Sequence, residues 1–197
     1  MLILAAVSGT GKSTIARRLL ERHDTLSVSV SHTTRHPRQG EIDGVHYHFV
    51  DRSSFDEMVA GGGFAEWAEY VGNAYGTANE TINHADAAGL DLIFDIEIQG
   101  ARQIKEQYPD AVSIFLLPPD WDEVRRRLTV RGTDAAEVVE RRLQRGRTEI
   151  VAASEFDYVV VNRDLDIALD EVSAIYQAAR LRNRGAHPTL VELLGVD

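Results

Sequence analysis

A glycine-rich segment near the amino terminus has the residue types and spacing of a phosphate-binding loop. An apolar run at residues 2–6 leads into residues 7–14, which read Val-Ser-Gly-Thr-Gly-Lys-Ser-Thr. Glycines let backbone N–H groups converge on phosphate, and the helix that follows adds the positive end of its dipole. We therefore expect a nucleoside triphosphate here, with Lys12 acting on its β- and γ-phosphates as a catalytic residue and the Ser13 hydroxyl on Mg²⁺. The triphosphate-binding residues expected from this pattern are Ala6, Val7, Ser8, Gly9, Thr10, Gly11, Lys12, Ser13 and Thr14.

Two details of this loop bear on that expectation. The pattern usually opens with Gly where this chain has Ala6, and Ala is strained there only if the turn needs a positive φ. The chain contains only two lysines, Lys12 and Lys105. A slim ammonium group reaches between phosphates where a planar guanidinium does not fit, so a lysine at this position supports the phosphate assignment. Lys105 is expected in solvent, on an exposed helix face.

The composition predicts a soluble chain of one globular domain. It has 197 residues, of which 44% are hydrophobic and 26% charged, enough for a full core. No apolar run approaches a membrane span and no signal-peptide layout is visible, so we expect a cytoplasmic protein with no membrane contact. The absence of cysteine excludes disulfides and thiolate metal sites. A net charge of −10 argues against a nucleic-acid partner, and a homo-oligomer is left open.

Apolar runs alternate with helical patterns along most of the chain. This alternation predicts an α/β fold of the P-loop NTPase type, with helices on both faces of a parallel sheet. Strands are expected at residues 2–6, 26–31, 92–96, 112–117 and 158–161, and helices at 13–22, 101–108, 120–129, 135–153 and 166–184, with a further short apolar helix at the carboxyl terminus.

Two regions depart from this alternation. Residues 32–80 hold a Pro and Gly turn, a short strand at 47–50, a helix at 55–59 and a run of glycines, and we interpret them as an inserted subdomain. A region dense in arginine, about 120–153, is interpreted as a lid of the kind that closes over phosphates. The core of the single domain 1–197 is then formed by residues 1–31, 81–119 and 154–197.

The inserted region contains a candidate second phosphate site. Arg35 and Arg38 flank Pro37, which stiffens the turn between them, and Tyr47 and Tyr75 follow along the chain. Two guanidinium groups and two phenolic hydroxyls suit a phosphate monoester dianion. Taken alone, the same residues also fit surface arginines and core tyrosines.

Five segments together resemble the guanylate kinase family in order and spacing. They are residues 28–41 (VSVSHTTRHPRQGE), 43–50 (DGVHYHFV), 64–77 (FAEWAEYVGNAYGT), 95–100 (DIEIQG) and 161–164 (VNRD). The resemblance covers nearly the whole chain and is more specific than the phosphate-binding loop. It implies transfer of the γ-phosphoryl group of ATP to GMP or dGMP, with Mg²⁺, through an inserted GMP-binding subdomain and an Arg-rich lid.

The resemblance also implies roles for the matching residues. GMP-binding residues are expected at Arg35, Arg38, Tyr47 and Tyr75 (phosphate), Ser31, Glu66 and Thr77 (guanine), and Gly76 and Glu97 beside them. The remaining implied residues are Arg38, Arg131 and Arg142 on the transferred phosphoryl group, Asn162 on adenine, and Asp95 on Mg²⁺ through water. The chemistry of Glu66 agrees, because a carboxylate accepts two parallel hydrogen bonds from guanine N1–H and its amino group and adenine does not offer this pair. Discrimination on the order of several kcal/mol against AMP follows.

Several residues depart from the family pattern or have a simpler interpretation. The family usually has Asp at the position of Glu97, and often Tyr at the position of Ala74. Without the resemblance, Glu66 would be interpreted as an ordinary acid at the edge of a helix. Most of the other lid arginines are expected on a solvated helix face, paired with Glu at helical spacing. They are Arg125, Arg126, Arg127, Arg141 and Arg145.

Three alternative functions remain at this point. The first is a binding module, of the guanylate-kinase-like type that holds phosphorylated peptides, although such domains typically lack a working phosphate-binding loop. The second is a kinase with another phosphorylated acceptor, such as a ribose bisphosphate. The third is a metal site formed by the histidines of the inserted region, which are His32, His36, His46 and His48.

Overall fold

The computed structural model describes residues 1–70, 72–130 and 136–182. The elements are β1 (Leu2–Ala6), α1 (Lys12–Arg22), β2 (Leu26–Val28), β3 (His32–Thr33), β4 (His48–Phe49), α2 (Arg52–Ala60), β5 (Phe64–Tyr70), β6 (Asn73–Ala78), α3 (Asn79–Ala87), β7 (Asp91–Asp95), α4 (Ile98–Gln107), β8 (Val112–Leu117), α5 (Trp121–Val130), α6 (Ala136–Glu149), a 3₁₀ helix (Ile150–Glu155), β9 (Tyr158–Val161) and α7 (Leu165–Arg180). Within these ranges, none of the helices has the length and apolar character needed to cross a membrane.

The central sheet is parallel throughout, in the order β2-β7-β1-β8-β9. β1 lies in the middle and all of its residues are buried, because helices cover both faces. Leu19 of α1 and Val172 of α7 belong to the core on one face, and Phe94 of β7 and Ile104 of α4 belong to the core on the other. A strand buried on both faces gives an unbroken apolar run in the sequence. The predicted α/β fold with a parallel sheet between helices is confirmed.

A second sheet has the order β4-β3-β6-β5. Its strands β5 and β6 are antiparallel, with a register irregularity between Phe64 and Glu66, and Phe55 of α2 stacks on Phe64 with ring centroids 4.5 Å apart. Gln103 of α4 holds the backbone of Trp67 on β5, accepting from its N–H at 3.1 Å and donating to its carbonyl at 2.8 Å. These two bonds fix β5, and with it Glu66, against α4.

The strand expected at residues 26–31 is divided between the two sheets. β2 ends at Val28, and Ser29 donates its N–H to the carbonyl of Ile93 at 3.0 Å. The chain then leaves the central sheet, and His32 begins β3 opposite Gly76 of β6. The prediction of one continuous strand is wrong because an apolar pattern does not mark the point at which a chain changes sheets.

Other element boundaries also differ from expectation. The sequence pattern does not predict β5, β6 or α3. α4 begins earlier than expected, at Ile98, with Glu97 in the extended conformation of an N-cap. The helix expected at 135–153 ends at Glu149 and continues as the 3₁₀ helix to Glu155. The expected helix at the carboxyl terminus lies outside the described residues.

Lys105 is not simply solvated. Its ammonium group donates to the carbonyl of Ala111 at 2.7 Å and pairs with Asp157 at 2.8 Å. The same Asp157 oxygen accepts from the backbone N–H and the hydroxyl of Ser113. Lys105 therefore ties α4 to the segment before β9, which gives it a structural role.

Candidate active site

The glycine-rich loop connects β1 to α1. Ala6 is the last residue of β1 and stays in register with β8, so its backbone is extended and a Cβ costs nothing. Gly9 and Gly11 have φ of +86° and +96°, in the region that favours glycine. The Thr10 hydroxyl closes the loop by donating to a main-chain carbonyl, that of Val7, at 2.7 Å. No side chain of the described residues caps α1, and the Gly11 carbonyl accepts the N–H groups of Thr14 and Ile15, both at 3.1 Å. A helix N-terminus without a side-chain cap suits an anionic ligand.

The Thr10 carbonyl is held from outside the loop by two donors. Asn162 donates to it through Nδ2 at 2.7 Å, and Arg127 donates through its guanidinium at 3.0 Å. Arg127 also donates to the main-chain carbonyl of Asn162 at 3.1 Å and pairs with Glu123 at 2.7 Å. The expected pairing of Arg127 with Glu123 is present, but the expectation of a purely solvated role is wrong. No spacing in the sequence signals its contact with the loop.

Lys12 lies in an acidic, buried setting at the end of β7. Its ammonium group donates to the carbonyl of Ile96 and pairs with Asp95, both at 2.8 Å. Burial acts to lower the pKa of Lys12, but the nearby carboxylates of Asp95 and Glu97 outweigh it, and the pKa is raised. Lys12 is therefore a fixed cation at neutral pH. Ser13 follows on the first turn of α1 with an exposed side chain.

A pocket lies between the second sheet and the carboxyl end of β7. It is lined by Ser31, Tyr47, Glu66, Ala68, Tyr70, Tyr75, Asp95, Ile96, Glu97 and Gly100. Glu66 of β5 is only 4% exposed, and Thr77, opposite it on β6, donates to its Oε1 at 2.7 Å. The hydroxyls of Ser29 and Ser31 lie 3.2 and 3.4 Å from the Thr77 hydroxyl. Burial raises the pKa of Glu66, although the bonds from Thr77 act in the opposite direction.

Gly100 is a residue of this pocket that sequence reasoning missed as a functional position. It lies on α4 directly against the carboxylate of Glu66, and a Cβ built there would overlap with Glu66 Oε2. Only glycine lets the helix approach the carboxylate this closely. A glycine inside a helical pattern is the available signal.

Of the expected phosphate residues, Tyr47 and Tyr75 line this pocket, and the two arginines lie beside it. The rings of Tyr47 and Tyr75 pack edge to face with centroids 6.0 Å apart, and Arg35 lies 5.4 Å from the Tyr47 ring centroid. Both terminal nitrogens of Arg35 donate to Glu41, at 2.9 and 3.0 Å, and Glu41 also accepts the Arg38 N–H at 2.7 Å. Hydrogen bonds from Arg35 hold the pKa of Glu41 below its ordinary value. Glu41 therefore organises both arginines, a role the sequence reasoning did not assign.

Helix α6 reaches the glycine-rich loop at two adjoining points. Arg142 donates through Nε to the hydroxyl of Ser8 at 3.0 Å. One turn later, a Cβ built at Gly146 would lie 2.6 Å from Val7, so the absence of a side chain allows this close approach. Arg131, the other lid arginine expected to act on the phosphoryl group, lies outside the described residues.

The loop forms one side of a second cavity, which we call the loop chamber. Besides residues 6–13, it is lined by Arg38, Tyr47, Tyr70, Asp95, Glu97, Arg142 and Glu149. Tyr47, Tyr70, Asp95 and Glu97 line both cavities, which therefore lie side by side. Burial raises the pKa of Glu97, with Lys12 acting against it and Glu149 adding to it.

Some expected residues do not line either cavity in the described part of the chain. They are Thr14, Arg35, Gly76, Thr77 and Asn162. Thr77 and Asn162 are buried behind the cavities, where they donate hydrogen bonds to Glu66 and to the Thr10 carbonyl. Gly76 is needed for packing, since a Cβ there would lie 2.9 Å from both Phe64 and Trp67.

Two of the four histidines named above stack on each other. His32 and His48 stack with ring centroids 4.6 Å apart, and burial lowers the pKa of His32, as does His48. Among the residues with described positions, no three His, Cys, Asp or Glu side chains are grouped to hold a metal.

Comparison with known proteins places this chain in one family. The family model for guanylate kinase matches residues 1–179. Guanylate kinase of Neisseria meningitidis serogroup A is 48% identical over 192 residues, 98% of this chain and 94% of its own, and that of Vibrio parahaemolyticus is 50% identical over 182 residues, 91% and 88%. The crystal structure of guanylate kinase from Anaplasma phagocytophilum has a TM-score of 0.79 at 32% identity, covering 100% of this chain and 96% of that one. This chain therefore belongs to the guanylate kinase family of nucleoside monophosphate kinases.

Proposed function

We propose that this chain transfers the γ-phosphoryl group of ATP to GMP with Mg²⁺, giving ADP and GDP, and accepts dGMP in the same pocket. One observation carries the proposal. Glu66, held from behind by Thr77, lines a pocket that adjoins the chamber around Lys12. A nucleotide with its base at Glu66 extends its phosphate toward Tyr47, which borders both cavities.

Guanine recognition depends on the hydrogen bonds that the Glu66 carboxylate can still accept. It accepts one hydrogen bond from Thr77 and has room for further donors on the pocket side. Guanine supplies N1–H and an exocyclic amino group side by side, whereas AMP leaves the buried carboxylate without this pair. The raised pKa of Glu66, caused by burial, means that the ionised form gains more from these donors than an exposed acid does.

Phosphoryl transfer needs alignment and positive charge more than a base. The attacking oxygen of the GMP phosphate is already anionic, so no side chain has to remove a proton. Lys12, Arg38 and Arg142 all border the loop chamber and are proposed to stabilise charge on the transferred group, with Arg131 as a further cation. Residues 6–14 hold the triphosphate in this proposal, and Asn162 contacts adenine.

The residues present suit magnesium bound together with the triphosphate. The Ser13 hydroxyl, exposed on the first turn of α1, and the Asp95 carboxylate beside Lys12 are hard oxygen donors of the kind that Mg²⁺ prefers. The ion neutralises charge on the phosphoryl oxygens when bound. We assign Ser13 as its direct protein ligand and Asp95 as a ligand through water.

We propose that the core carries ATP, that the inserted region at about 32–80 carries GMP, and that the lid at about 120–153 closes over both. Closure would exclude water, which otherwise hydrolyses ATP. ATP and GMP or dGMP are the partners in this proposal, with no nucleic acid or membrane involved. The cytoplasm, where both nucleotides occur, is the proposed location, and the reaction belongs to purine nucleotide metabolism.

A coupled assay of ADP release tests the function. The protein is given ATP and Mg²⁺ with GMP, dGMP, AMP, CMP, UMP or a ribose bisphosphate. Turnover with GMP and dGMP alone is expected. Turnover with a sugar phosphate would move the assignment to another acceptor. Binding of GMP without turnover of any acceptor would favour a binding module.

A further inference from the structure

A row of packed side chains connects α6, the helix that carries Arg142, to the tyrosines of the pocket around Glu66, which we call the acceptor pocket. The guanidinium of Arg145, on α6, lies 3.9 Å from the ring centroid of Tyr70, the last residue of β5. The Tyr70 ring packs edge to face with Tyr75 at 6.4 Å, and Tyr75 packs edge to face with Tyr47 at 6.0 Å. The row therefore runs from α6 into the second sheet.

The first contact of this row is well defined. Arg145 pairs through Nε with Glu149 one turn later on α6 at 2.5 Å, and the Glu149 side chain is only 11% exposed. This pair directs the planar guanidinium, which is attracted by the negative face of an aromatic ring. Tyr70 borders both the pocket and the loop chamber. A movement of the tyrosine rings in the acceptor pocket can therefore be passed through Tyr70 to Arg145 on α6.

The orientation of α6 determines the position of Arg142. Arg142 and Arg145 are one turn apart on the same helix and therefore lie on neighbouring parts of its surface. Arg142 contacts Ser8 of the glycine-rich loop, and Gly146 lies against Val7. A helix held at the loop by these contacts and at β5 by Arg145 cannot rotate without moving Arg142 away from the loop.

We propose that Tyr70 and Arg145 are positioning residues for phosphoryl transfer. A phosphate bound by Tyr47 and Tyr75 restrains their rings, Tyr75 restrains Tyr70, and Tyr70 holds Arg145 so that Arg142 stays at the glycine-rich loop. This inference rests on the proposed function, since it places the acceptor phosphate at these tyrosines. Arg145 touches neither substrate and acts through Arg142.

Steady-state kinetics of matched variants test the pairing. Y70L removes the aromatic face and R145Q removes the cation, whereas Y70F keeps the face. We expect kcat to fall about tenfold in Y70L and in R145Q, with KM for ATP unchanged, and the double variant to lose no more than either one. Y70F should keep wild-type kcat. The control R125Q removes an exposed ion pair between α5 and α6, Arg125 with Glu140 at 2.7 Å, and should leave kcat unchanged.

A fluorescence measurement follows α6 without turnover. The chain has two tryptophans, and Trp121 contacts α6, because Arg147 lies 4.9 Å from its ring. W67F leaves Trp121 as the only reporter. We expect GMP alone to change Trp121 emission in W67F, and expect the change to disappear when Y70L or R145Q is added, while GMP still binds in calorimetry.

The outcomes separate this inference from the proposed function. Wild-type protein that neither binds nor phosphorylates GMP would remove the proposed function and the inference with it. Normal GMP turnover with an unresponsive Trp121 in W67F, or with Y70L and R145Q effects that simply add, would overturn only the link between Tyr70 and Arg145. Thermal unfolding of every variant distinguishes loss of the link from loss of the fold, and R145Q, which breaks the same contact from the other side, keeps the test valid if Y70L is unstable.

Discussion

Thr77 donates a hydrogen bond of 2.7 Å to Oε1 of Glu66 across two antiparallel strands, and neither side chain is more than 4% exposed. The other carboxylate oxygen faces Gly100 on α4. A buried carboxylate in this setting is stabilised by few donors and gains strongly from any that a ligand brings. If Glu66 binds guanine as proposed, the pair links the stability of the empty protein to its choice of acceptor.

Glu66→Gln should remove the preference for guanine. The amide keeps the size of the side chain but loses the charge and one of the two acceptor positions that face N1–H and the amino group. We expect kcat/KM for GMP to fall by about 10²–10³, as for the loss of a charged hydrogen-bonded pair, with KM for ATP unchanged. Steady-state assays with GMP and AMP measure the change.

Glu69→Gln is the matched control for this prediction. Glu69 lies on the same strand, is exposed, and pairs with Arg52 at 2.7 Å on the surface. Its replacement should leave both KM values at the wild-type level. Equal losses in the two variants would mean that Glu66 does not read the base.

Glu66→Gln should also raise the stability of the empty protein at neutral pH. Burial raises the pKa of Glu66 above its ordinary value of 4.5, so its contribution to stability is fully present below pH 4.5 and is lost as pH rises through the folded pKa. Glu66→Gln lacks this loss. Denaturant unfolding should show the variant more stable than wild type at pH 7, with the gap narrowing toward pH 4. A variant less stable at pH 7 would contradict this.

Glu66 also illustrates why the second sheet is hard to predict. β5 reads FAEWAEY, and the buried acid occupies a place where an apolar residue would complete a strand pattern. A register irregularity between Phe64 and Glu66 shifts the alternation further. Without the resemblance, Glu66 would be interpreted as an acid at a helix edge, which is wrong because it lies on β5. A buried acid breaks the local rule that would reveal its strand.

The central sheet and the glycine-rich loop are predictable because their signals are local. β1 is an unbroken apolar run buried on both faces, and the loop follows it directly. Arg127 shows the limit of such signals. Its spacing from Glu123 correctly predicts an ion pair, but its contacts with Thr10 and Asn162 join residues far apart in the chain. Only the folded chain brings these residues together.

Glu41→Gln should weaken binding of the GMP phosphate. Glu41 holds the Arg35 guanidinium through both oxygens and the Arg38 N–H through one of them, and an amide cannot replace these charge-assisted bonds. We expect KM for GMP to rise about tenfold while KM for ATP stays constant, because the loop between the arginines loses its order. Steady-state assays of Glu41→Gln measure the effect, and E57Q, a change at an exposed acid of α2, is the control. A lower KM for GMP would show instead that Glu41 competes with phosphate for Arg35.

Asn162→Ala should weaken the binding of ATP and leave the binding of GMP unchanged. The substitution removes the Nδ2 bond to the Thr10 carbonyl, and with it one of the two donors from outside the loop that hold this carbonyl. Asn162 Oδ1 is buried without a hydrogen-bond partner among the described residues, as expected of an acceptor reserved for a ligand N–H. We expect KM for ATP to rise about tenfold and the preference for ATP over GTP to fall. The control is R163Q, at the exposed neighbouring position. An unchanged KM for ATP in Asn162→Ala would argue against its role in holding the loop and against its contact with adenine.

Gly100→Ala should damage GMP binding through geometry alone. Alanine favours a helix over glycine by about 1 kcal/mol, so the substitution in α4 would ordinarily stabilise the protein. Here the added Cβ would overlap with Glu66 Oε2, and the carboxylate has to turn away from the pocket or the helix has to move. We expect the affinity for GMP to fall at least about tenfold, and ATP binding to stay at the wild-type level. Calorimetry with each nucleotide measures this, beside Q99A, which adds an alanine to the same helix at an exposed position. Full GMP affinity in Gly100→Ala would mean that the close approach of α4 to Glu66 is not needed for the site.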